Sequence, residues 1–257
     1  YNSRATTEPE NNVPLLHRIL ELRKEKATLL GYADFSDLVL ADRMAKNGRT
    51  AWEFVDGLRS RIEAHFVREQ RELSQFIETT CGVDPATLKP WDLSYYAEKM
   101  RKARYDFDEE ELRPYFPLPK VIDGLFTVVD RVFGITVKPN PELPAWCEGV
   151  TAFSAYDKAS GKLIGHFYAD LHPRQTKRGG AWMNSFVSHI PADGDTMPHV
   201  GLMAGNFTPP AEGKPSLLTH DEVTTLFHEF GHLMHLLCST VSLRGQGMDS
   251  VAWDFIE

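Results

Sequence analysis

The sequence has 257 residues, enough to bury a substantial core as one large domain or two modest ones. Hydrophobic residues make up 42% and charged residues 25%, the balance of an ordinary globular protein. The net charge of −8 argues against the basic face that a phosphate backbone requires, and no apolar run reaches the roughly 20 residues that span a bilayer, so neither nucleic acid nor membrane is expected as a partner.

The first part of the chain reads as helical. Asn11 or Asn12 can cap a helix that carries Leu15, Leu16, Ile19, Leu22 and Leu29 toward a core. After Gly31-Tyr32 a shorter helix is expected over 36–46. Thr50-Ala-Trp-Glu53 has the form of a capping box, opening a long helix with Val55, Leu58, Ile62, Phe66, Leu73, Phe76 and Ile77 at three- and four-residue steps. That helix should end at Cys81-Gly82, where glycine suits a left-handed cap. Further helices are expected over 91–104 and 119–133, the second stopped by Gly134.

Strand patterns follow. Val150–Tyr156 and Leu163–Tyr168, joined by a turn at Asp157-Lys-Ala-Ser-Gly161, predict a hairpin, and 181–188 and 200–207 predict two more strands. The expected fold is mainly α, with a small β-sheet inserted before the helix that carries the motif below. The expected division is a helical region over 1–145, then the sheet and that helix over 146–257.

Thr219-His-Asp-Glu222 is a second capping box, so a helix should run from there to about Ser239, made apolar by Val223, Leu226, Phe227, Phe230, Leu233 and Leu237. On it lies His228-Glu229-Phe230-Gly231-His232. Histidines four positions apart project from one helix face, about one turn apart, and suit a single zinc. Glu229 then sits beside the metal, where a carboxylate can take a proton from activated water and pass it to the leaving amine. The bland alternative is a pair of ordinary core histidines. Against it stands the cost of burying His and Glu on an apolar helix without a partner.

Two residues compete as third ligand. His235 shares the face of His232 but lies about 10 Å along the axis from His228, too far for one metal without a break in the helix. Glu257 comes 25 positions after His232, leaving room for a loop at Arg244-Gly-Gln-Gly247 and a returning helix, and is preferred. His235 is expected as a packed or hydrogen-bonded core histidine.

The run His220-Asp-Glu-Val, then Leu226-Phe-His-Glu-Phe-Gly-His232 with Met234-His235, then Trp253-Asp-Phe-Ile-Glu257, resembles the thimet oligopeptidase family of zinc peptidases. Gly165-His-Phe-Tyr-Ala-Asp-Leu171, Lys177-Arg-Gly-Gly-Ala-Trp-Met183, Asn206-Phe207 and Gly213-Lys-Pro fit it as well. The resemblance implies one Zn2+ on His228, His232 and Glu257, with Glu229 as general base. It also implies a two-lobed helical fold around a channel that admits short peptides and excludes folded proteins. Family members continue past the third ligand, with groups that hold the substrate. The segment Gly179-Gly-Ala-Trp182 is read either as a strand that pairs with substrate backbone or as an ordinary buried strand.

Cys81, Cys147 and Cys238 are odd in number, far apart and free of CxxC spacing, so reduced thiols in a cytoplasmic protein are expected. No secretory signal is visible at Tyr1. The close at Glu257, inside the start of a helix, predicts a piece of a longer protein. The functional expectation is a zinc metallopeptidase cleaving short peptides. The rivals are a noncatalytic metal-binding fragment and an unrelated HExxH aminopeptidase.

Overall fold

A computed structural model describes residues 5–9, 11–106, 109–188, 198–211 and 213–257. The chain forms two compact units, one of Tyr1–Ala97 with Ala252–Glu257, the other of Glu98–Val251. As expected, helix dominates and the sheet is small.

The first unit contains α1 (Val13–Leu29), α2 (Phe35–Leu40), α3 (Gly48–Cys81), the start of α4 (Leu93–Tyr105) and the four-residue α7 (Trp253–Ile256). Asn12 takes the N-cap of α1 without a side-chain bond, and Asn11, one residue outside, accepts from the Val13 N–H at 3.1 Å. Helix α2 stops at Leu40, short of the predicted 46. Helix α3 starts earlier than Thr50, because Asn47 takes the cap and accepts from the Thr50 N–H at 2.8 Å, while Glu53 pairs with Arg49. It ends as predicted at Gly82, with φ of 67°. The predicted inward face of α1 is overturned: Leu15 is 60% exposed and Leu29 79%, with only Ala27 buried. On α3, Trp52 (66% exposed) and Ile62 (57%) are likewise open, and burial begins at Leu73 and Ile77. Helical period was thus read correctly, but periodicity reports which residues share a face and not what covers it.

In the second unit α5 (Leu118–Phe133) ends at the left-handed Gly134 and feeds β1 (Ile135–Pro139), a strand the sequence pattern did not reveal. Strands β2 (Thr151–Asp157), β3 (Leu163–Asp170), β4 (Trp182–Val187) and β5 (His199–Ala204) complete a mixed sheet of order β1-β2-β3-β5-β4. The predicted hairpin is β2–β3. Its turn closes where Asp157 accepts from the Ser160 N–H at 2.7 Å. Strands β3 and β5 run parallel, and β4 pairs antiparallel with β5 at the edge.

Helix α6 (His220–Leu237) lies on this sheet. Side chains at alternate positions of β2, β3 and β5 (Phe153, Ala155, Phe167, Ala169, Met203) meet α5 and α6 in one core. Phe153 and Phe167 stack at 5.0 Å, and Phe126 of α5 and Phe230 of α6 both meet Phe167 edge-on. Such ring pairs contribute about 0.5–1.5 kcal/mol each beyond their buried area. Glycines let the helix come close: a Cβ on Gly201 would stand 2.5 Å from Leu233 Cδ1, and one on Gly165 2.7 Å from both Leu237 Cδ2 and the His199 carbonyl oxygen.

Candidate metal centre

Helix α6 begins as its sequence dictates. Thr219 Oγ1 accepts from the Glu222 N–H at 3.0 Å, and Glu222 Oε2 accepts from the Thr219 N–H at 2.8 Å. Glu222 does more than cap. Its Oε1 accepts from the Thr208 N–H at 2.7 Å and from the Thr208 hydroxyl at 3.0 Å. Arg113 donates to the Leu217 carbonyl at 3.1 Å and lies 3.7 Å from Glu222. At the other end, the buried His199 is 3.0 Å from the Ser239 carbonyl oxygen. The helix is therefore held at both termini as well as along its buried face of Leu226, Phe230, Leu233, Met234 and Leu237.

The opposite face carries the motif. His228 is exposed and His232 half-buried, with Nε2 atoms 3.1 Å apart and ring planes at 89°. Two nitrogens each about 2.0–2.1 Å from one zinc, at a tetrahedral angle, lie about 3.3 Å apart. The pair thus fits the metal without changing rotamer, and imidazole is a donor zinc accepts readily. Glu229 is buried beside them at 8% exposure. Glu257 is exposed and follows α7 in the first unit. His235 is not the packed core residue expected. It lies exposed on α6, since its position falls outside the stripe that meets the sheet. Asp221, Thr224, Thr225 and His228 line an open groove of about 410 Å³ along the same face.

Beyond α6, a buried charge cluster fixes the connection from β3 to β4. Asp170 receives two hydrogen bonds from Arg174 (2.7 and 2.6 Å) and one from Lys177 (2.9 Å). Lys177 also donates to the carbonyls of Asp170 and His172. Burial pushes the Asp170 carboxyl up, but the hydrogen bonds and charges of Arg174 and Lys177 outweigh it and leave it below the usual carboxylate range. Asn206 then pins the following turn by donating to the carbonyls of Arg178 and Gly180. This cluster escaped the sequence reading, which saw its residues only as parts of a family pattern. The signal was an Asp ending an apolar strand with two cations within seven positions.

The profile of Peptidase family M3 matches residues 1–257. The chain belongs to this family. It is 40% identical to oligopeptidase A of Escherichia coli over an alignment of 264 positions that covers the whole chain and 38% of that protein. The organellar oligopeptidase A of Arabidopsis thaliana is 39% identical over the whole chain and 33% of its own length. A dipeptidyl carboxypeptidase of Salmonella typhimurium is 33% identical over 95% of the chain and 35% of that enzyme. The M3 chain therefore spans little more than a third of the length of these relatives. Membership in M3 removes the rival of an unrelated HExxH aminopeptidase. Among the described residues no helix is long and apolar enough to cross a membrane.

Proposed function

We propose that this chain carries the zinc site of a peptidase that hydrolyses short oligopeptides, with His228, His232 and Glu257 as metal ligands and Glu229 as general base. The observation that carries the reading is the 3.1 Å separation of two imidazole nitrogens on one helix face, with a buried glutamate between them in sequence. When bound, zinc lowers the pKa of a coordinated water to about 7 and polarises a carbonyl oxygen.

The chain's own residues do the rest. His228 and His232 present ring nitrogens from consecutive turns of a helix clamped at both ends, so little side-chain freedom is lost when they bind. Glu229 stands one residue from His228. Its carboxylate accepts a proton from the attacking water and returns it to the amine nitrogen as the peptide bond breaks. The outer edge of β4 offers backbone groups to an extended peptide, which would bind by adding a strand. Members of this family are named both for oligopeptides and for dipeptidyl release, and internal cleavage is the reading adopted here.

The division of labour is testable. Glu229→Gln should leave zinc content unchanged and lower turnover by about 10²–10⁴-fold, the usual contribution of general acid–base catalysis. His228→Ala and His232→Ala should lose the metal itself. Metal analysis and a quenched-fluorescent peptide assay on the purified protein measure both. Equal metal loss in all three variants would refute the assignment. Mass spectrometry of the products separates internal cuts from dipeptides released at the carboxyl end.

A further inference from the structure

Asp254 is the second residue of α7, three positions before Glu257. Both of its carboxylate oxygens are engaged. Oδ1 accepts from the Met44 N–H at 3.0 Å and Oδ2 from the Ala45 N–H at 3.0 Å, backbone groups 210 and 209 positions earlier in the chain. Those N–H groups lie just beyond α2, within the same compact unit. Helix α7 is a single turn with no side-chain cap at Ala252. One turn does not hold itself together in water, because the first hydrogen bond must fix several residues at once. Its placement has to come from elsewhere.

We infer that Asp254 is a positioning residue for Glu257, its carboxylate tying α7 to the turn at Met44 and Ala45 and so fixing the backbone from which the Glu257 carboxylate is presented. The inference rests on the zinc reading above, with Glu257 as a ligand. The hydrogen bond from Met44, aided by that from Ala45, holds the Asp254 carboxyl below the usual carboxylate range against the opposing effect of burial. Asp254 is therefore ionised wherever a metal site with neutral imidazoles is competent. Only a carboxylate suits two neighbouring N–H donors, because each needs its own acceptor oxygen. An asparagine keeps one acceptor and turns its own NH2 toward the second N–H.

The test is zinc affinity, read by competition with a chromophoric chelator on the purified protein, together with amide hydrogen exchange at Met44 and Ala45. Asp254→Asn should weaken zinc binding about 10–100-fold, the usual effect of losing support behind a ligand, and should speed exchange at both amides even without metal. The same substitution in a Glu257→Ala background should change zinc affinity no further, since the cycle isolates coupling between the two residues. Asp34→Ala, which removes a cap on α2 made by accepting from the Asp37 N–H at 3.0 Å, should leave affinity unchanged. Wild-type affinity in Asp254→Asn overturns the inference, as does an equal loss in the Glu257→Ala background or in Asp34→Ala, either of which marks general damage to the fold. Folded wild-type protein that takes up no zinc at all would instead sink the metal reading, and this inference with it.

Discussion

At the scale of single residues, Asp170 and Lys177 show how much of this protein rests on charges taken out of water. The Lys177 side chain is 2% exposed, and every hydrogen bond it makes goes to oxygen of Asp170 or His172. Replacing Asp170 by Asn leaves a buried ammonium facing a neutral amide, a change that typically costs about 3–5 kcal/mol. Because the folded-state carboxyl titrates lower than in the unfolded chain, its stabilising contribution is complete above the unfolded value of about 3.9 and is lost as pH falls through the folded one. Urea midpoints should therefore separate wild type from Asp170→Asn widely at pH 7, with the gap narrowing only in acid below about pH 4. A gap that closes by pH 5 would contradict the sign. The same residues show what sequence could not give. His228, Glu229 and His232 were legible because their spacing is itself the chemistry. The bonds of Asp254, and those of Glu222 to Thr208, were not, because those partners are fixed by tertiary structure.

At the scale of elements, the close seating of α6 on the sheet depends on glycine. Gly165→Ala would bring a methyl group to 2.7 Å from the His199 carbonyl oxygen, a backbone atom that cannot swing aside. The expected cost is about 1–3 kcal/mol of stability, as for other overpacked core sites, measurable as a lower urea midpoint with an unchanged slope. On the other sheet face His166 and Ser154 stand opposite each other on β3 and β2, 2.8 Å apart, with Asn140 donating to Ser154. Burial lowers the His166 pKa, so the unfolded chain takes up a proton more readily than the folded one below about pH 6.5. Stability should thus fall between pH 7 and 5, and His166→Gln should flatten that slope in matched denaturant titrations. Element type followed from pattern: every predicted strand and long helix exists within a few residues. Strand β1 was invisible because four residues between a helix-capping glycine and Pro139 leave too short an alternation to read.

For the whole molecule, the periodicity of α1 and α3 was legible and its burial was not. Which apolar face is covered depends on partners that a local pattern cannot name, and the M3 relatives are more than twice as long as this chain. The helical period and strand patterns placed it correctly as mainly helical with a small sheet, and the HExxH run pointed to the family before any comparison. Leu15, Leu16 and Leu20 of α1, with Trp52, Phe54 and Ile62 of α3, are each more than half exposed, on a chain that carries a net charge of −8. Such a polypeptide should behave as a surfactant. It should adsorb at an air–water boundary and lower the tension of a pendant drop, and a Leu15→Glu, Leu16→Glu, Leu20→Glu variant should do so far less. Losses on filters and tubing would then follow from the same two helices, and would be mistaken for poor folding.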